Sequence, residues 1–160
     1  MRSRERKYKL KDVIITMLSS VKGPMGEDST ELITDGSYTK NQWGCVFAYS
    51  ESDATGYDGS ETVVSVCPGE RLELVRTGNA STELLIETDE RNYCTYRTPF
   101  GEMTISTLAK RVEADLGEDW AEIAADYVLD INSVSAGEYS LKISIRPDNS
   151  EKSMSAEGCS

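Results

Sequence analysis

Short stretches in which polar and apolar residues alternate, broken by turn signals, fill this chain from Leu10 to Arg146. Side chains two apart share one face of a strand, so such a pattern folds into half-buried β-strands and into little else. Ten strands are predicted: 10–21, 30–39, 42–50, 61–66, 71–77, 80–87, 92–98, 102–110, 120–132 and 138–146. The breaks carry turn residues, among them Gly23-Pro24, Lys40-Asn41, Pro68-Gly69, Asp89-Glu90 and Ser135-Ala136-Gly137. Connections of two to five residues join antiparallel neighbours. The expected fold is therefore all-β, a single antiparallel up-and-down β-barrel of about 8–10 strands. Closure removes the exposed edges that an open meander would leave. Around Glu113-Ala114-Asp115-Leu116 a short helical turn competes with an exposed connection.

The 160 residues suffice for one domain with a sizeable core. Its expected limits are a basic arm over 1–9, a barrel over 10–146 and a polar, Ser- and Glu-rich tail over 147–160. Net charge is −11, unevenly spread. Residues 1–11 hold six basic groups and one acidic group, which leaves −16 on the remainder. So acidic a body repels phosphate backbones, and nucleic acid is not an expected partner. Val13 to Leu18 is too short and interrupted for a secretory core, and no run reaches the ~20 apolar residues of a helical span. A cytoplasmic protein without membrane association is expected.

Histidine is absent. That removes Ser-His-Asp and Cys-His catalysis and the commonest general base. The four cysteines, Cys45, Cys67, Cys94 and Cys159, lack the paired spacing of a zinc site. The acidic loop of Glu51-Ser52-Asp53, Asp58 and Glu61 lacks the residue order of a calcium-binding loop. Gly23-Pro24-Met25-Gly26 is a turn and not a phosphate cradle. No metal and no cofactor is expected.

Alternation also aims some polar side chains inward. Arg76 shares a face with Leu72 and Leu74, and Glu51 shares one with Phe47 and Tyr49. Thr62, Tyr96, Thr98, Thr107 and Tyr127 point the same way. A buried arginine needs an anion, since an unpaired buried charge costs several kcal/mol, about 3–5 when one partner is removed. Glu51 is the natural partner. Two explanations stay open: a structural ion pair closing a filled barrel, which would then serve as an interaction module, or a pocket. In the pocket reading Arg76, Glu51, Tyr96, Tyr127, Thr98, Thr107 and Thr62 bind a small anionic or amphipathic molecule without catalysis. An enzyme would have to use Glu51 or a tyrosine as its acid–base group, and no second inward carboxylate completes a glycosidase pair.

Tyr49-Ser50-Glu51, Thr62, Arg76-Thr77-Gly78, Tyr96-Arg97-Thr98-Pro99-Phe100-Gly101 and Thr107 resemble, in order and spacing, the pattern of the YwiB-like bacterial proteins of unassigned function. The resemblance runs from about Leu10 to Arg146. It implies a calycin-type, lipocalin-like barrel, and hence a cavity of the kind that holds small hydrophobic or amphipathic molecules. It implies no activity and no catalytic residues. The loop between Glu51 and Thr62 is longer than the family pattern, and the tail after Arg146 has no counterpart in it.

Overall fold

The computed structural model describes residues 10–52, 59–78 and 81–149, without the side chains of 96–98. The expected arm over 1–9 and residues 150–160 of the expected tail lie outside the described residues. Ten strands follow one another: β1 (Lys11–Gly23), β2 (Gly26–Lys40), β3 (Cys45–Ser50), β4 (Glu61–Cys67), β5 (Arg71–Thr77), β6 (Thr82–Glu87), β7 (Asn92–Thr98), β8 (Gly101–Leu116), β9 (Ala121–Ile131) and β10 (Val134–Pro147). Each pairs antiparallel with its sequence neighbours, save β6 with β7, and β1 pairs with β10, so the sheet order is β6-β5-β4-β3-β2-β1-β10-β9-β8-β7. The result is an up-and-down barrel, nearly closed. At the seam, β6 and β7 share no ladder. A Glu87–Glu90 bridge, a Thr88–Ala109 bridge and a hydrogen bond from Thr107 Oγ1 to the Leu85 carbonyl (2.5 Å) hold it instead.

Two β-bulges reshape the strands that the alternation mistook. In β8 the register against β9 shifts between Ala109 and Arg111. The extra residue returns Val112, Ala114 and Leu116 to the inner face, so the strand continues through Leu116 where a helical turn or a loop was expected. In β10 a second shift lies between Ser135 and Gly137. Ser135-Ala136-Gly137, expected to be the turn, is this bulge. The hairpin instead closes at Asn132 and Ser133, both left-handed with φ of 51° and 69°. Paired positive φ values match the right-handed twist of the flanking strands.

Up-and-down connectivity sends alternate connections to opposite ends. One end carries the β1–β2, β3–β4, β5–β6, β7–β8 and β9–β10 connections; the other carries the remaining four and the outer ends of β1 and β10. The second end is filled. Val13, Ile15, Tyr38, Phe47, Val66, Leu72, Ile86, Val112, Ile123, Ile143 and Ile145 are buried there, and the Tyr38 hydroxyl donates to the Gly117 carbonyl across it (2.8 Å). Burial falls toward the first end. On the same inward faces Met17, Leu32, Leu74, Leu84, Tyr127 and Leu141 are only partly buried. The barrel is thus closely packed at one end and less so at the other, except beside the β3–β4 connection, where Tyr49, Glu51, Ser60 and Thr62 stay buried.

Candidate functional site

The polar cluster sits at the boundary between these two halves. Register aligns Tyr49 of β3 with Thr62 of β4, Thr62 with Arg76 of β5, and Arg76 with Thr82 of β6. Neighbouring strands lie ~4.8 Å apart, so one inward row across four strands brings these side chains together. Glu51, just beyond the end of β3, keeps the inward phase, and its backbone N–H donates to the Ser60 carbonyl (2.8 Å). Its carboxylate, only 1% exposed, accepts from the Thr62 hydroxyl and from Arg76 Nε (3.3 Å). Arg76 Nε also donates to Thr62 Oγ1 (3.3 Å). The Arg76 side chain is 14% exposed.

Tyr49 completes the group. Burial first, and then the neighbouring Glu51 carboxylate, push its phenol up to about 12, against the lowering effect of Arg76 and of a hydrogen bond with Thr62. Tyr127 is likewise pushed up to about 12, chiefly by burial. Both phenols remain protonated across the physiological range. They can donate hydrogen bonds.

The predicted residues divide three ways. Glu51, Thr62 and Arg76 meet as expected. Thr107 is buried in β8, but its hydroxyl spans the β6–β8 seam and takes no part in the cluster. Tyr127 faces inward from β9 and stacks on Tyr139 of β10, with ring centroids 5.3 Å apart and planes within 11°. Tyr96 and Thr98 lie on β7, and their side chains fall outside the described residues, as do Asp53 and Asp58 of the acidic loop. Two members stood outside the expected ligand-binding set. Tyr49, two residues before Glu51, had a signal in the alternation. Thr82, whose buried hydroxyl has no hydrogen-bond partner, had one too, sharing a face with Leu84 and Ile86.

An open depression of about 710 Å³ reaches the inward-phase Val21, Tyr127 and Tyr139 and is otherwise bordered chiefly by Ser20, Lys22, Lys110, Asp126, Glu138 and Ser140. These bordering residues are out of phase with inward-facing Ile123, Ala125 and Ile143, which places them on the outer surface of the sheet. Their charges are matched locally, Lys110 with Glu138 and Asp126 with Arg111. The Ser140 hydroxyl and the Arg111 guanidinium hold the Asp126 carboxyl below its usual range.

The family described as a domain of unknown function (DUF1934) matches residues 15–143. The chain belongs to that family. Its DUF1934 fold is also that of the ywiB protein from Bacillus subtilis, whose crystal structure aligns with a TM-score of 0.74 at 20% identity, over 90% of this chain and 97% of that one. Likeness at so low an identity speaks for the fold alone. No functionally curated protein matches the chain. Within the DUF1934 match lie Glu51, Thr62, Arg76, Thr107 and Tyr127, and no chemistry is inherited with them.

Proposed function

We propose that this barrel is a non-enzymatic carrier of one small amphipathic molecule, seated in its less closely packed end. The observation that supports the reading is the loss of burial along β1, β2, β5, β6, β9 and β10, all in one direction. Inward Met17, Leu32, Leu74, Leu84 and Leu141 supply an apolar wall for the body of the ligand. Arg76, the Thr82 hydroxyl and Tyr127 supply donors for its head. Because Glu51 already compensates Arg76, a carboxylate or a hydroxyl- or carbonyl-bearing head suits the site better than a multiply charged phosphate. Thr62 and Glu51 position the guanidinium. The free thiols of Cys45, Cys67 and Cys94 suit a reducing compartment such as the cytoplasm.

The test is a comparison of native and denaturing mass spectra of gently purified protein, followed by titration with the apolar fluorophore N-phenyl-1-naphthylamine. A small-molecule adduct lost on denaturation, or saturable binding that Leu84→Glu weakens at least tenfold, supports the carrier. A clean mass with no fluorophore binding overturns it. That outcome favours the second reading, a filled interaction module in which the internally satisfied Glu51–Thr62–Arg76 cluster is purely structural.

A further inference from the structure

Most strands of this barrel are flanked along their length, but the first half of β2 is not. Residues Gly26–Tyr38 pair with β1 on one side, whereas β3 covers the other side only over Ser37–Lys40. Among the described residues no backbone hydrogen bond reaches Glu27–Gly36 from that side. The edge therefore has no strand partner and is held extended and exposed, with only local side-chain bonds to it, from the Ser29 N–H to Asp28 Oδ1 (2.9 Å) and from Thr34 Oγ1 to the Asp35 carbonyl (3.1 Å), which makes it a template for an added strand. At ~3.3 Å per residue these ten residues measure about 33 Å.

Charge narrows the occupant. Glu27, Asp28, Glu31 and Asp35 lie on this stretch, and no lysine or arginine occurs between Gly26 and Tyr38. Glu27, Glu31 and Asp35 share the outer face with Ile33, which is 63% exposed. Two such edges brought together would oppose like charges, so β2-to-β2 pairing of two copies is disfavoured. The complementary segment is a basic extended one, and this chain contains it. Arg2, Arg4 and Arg6 alternate along the nine residues that precede Leu10, about 30 Å of extended chain. Its own copy is badly placed to deliver that segment. Lys11 pairs with Tyr38, so the arm departs on the β1 side of β2, at the end where β3 covers the opposite side.

We propose that the free edge of β2 accepts the basic amino-terminal segment of a second copy, as an added strand with Arg2 and Arg6, four residues apart, set against two successive acids of the series Glu27, Glu31 and Asp35. The surface lies outside the barrel lumen and does not depend on what the lumen holds.

A charge-swap experiment on the full chain tests it. One variant carries Arg2→Glu, Arg4→Glu and Arg6→Glu; the other carries Glu27→Lys, Glu31→Lys and Asp35→Lys. Sedimentation equilibrium at low salt should show wild-type chains associating, with affinity falling about tenfold or more toward 0.5 M salt. Each variant alone should run as a single chain, and an equimolar mixture of the two should associate again. Hydrogen exchange on the wild type provides a readout without substitutions: amides of 27–36 should gain protection as concentration rises. A wild type that stays monomeric at all concentrations overturns the proposal. So does association that neither variant disturbs, or that mixing the two does not restore. Concentration-independent protection of 27–36 in a monomer assigns the edge to the same chain's arm, and overturns exchange between copies.

Discussion

Arg76 and Glu51 are coupled, and removing either alone should be costly. Arg76→Leu leaves a carboxylate buried without its cation and should destabilise the fold by about 3–5 kcal/mol. Adding Glu51→Gln to that variant should recover part of the loss, because the stranded charge disappears. Urea midpoints of the two singles and the double decide the matter; strictly additive effects would mean that the pair does not interact. The raised phenols of Tyr49 and Tyr127 have their own consequence. In the unfolded chain they ionise near 10, in the folded protein near 12, so the folded state holds the extra protons between these values. Their contribution to stability is complete below pH 10 and is lost as pH rises toward 12, which an alkaline series of thermal melts should record. Much of this site was legible in the sequence. Period-two alternation aims Glu51, Thr62 and Arg76 inward, and the cost of a lone buried arginine identifies its partner. The isolation of Thr107 from the cluster was not legible, because it depends on how the barrel closes and not on any single strand.

At the scale of the elements, the weak places are the seam and the splayed edge. Thr107→Val removes the only side-chain hydrogen bond described between β8 and the Leu85 carbonyl. It should cost about 1–3 kcal/mol and speed amide exchange in β6 and β7 more than in β3 and β4. Gly36 stands where β3 leaves β2, and a Cβ there would lie 2.3 Å from the Ala48 carbonyl oxygen and 2.7 Å from Ile15 Cδ1. Gly36→Ala should therefore push the strands apart and lower stability by about 1–3 kcal/mol, readable as a drop in Tm. Strand number and order followed from the pattern, although the first strand did not declare its face, Val13, Ile15 and Met17 competing there with Ile14 and Leu18. The two bulges did not. An inserted residue leaves no mark on composition and reverses the apparent face of everything after it, which is why Val112, Ala114 and Leu116 read as something other than strand.

The whole molecule is asymmetric along its axis. Close packing at one end and half-buried apolar side chains at the other predict that amides of Val13–Ile15 and Ile143–Ile145 exchange most slowly, and that those near Val21 and Tyr139 open first. Uniform protection along β1 would contradict a barrel closely packed at one end only. Even-numbered topology has a further effect. Val13 lies opposite Pro147, so both ends of the domain leave through the closely packed floor. Anything joined to the chain there, whether an affinity tag, a neighbouring domain or a solid support, holds the barrel by its base with the opposite end facing outward. An immobilised sample would thus present the half-buried apolar wall and Arg76 to the passing solution in one common orientation.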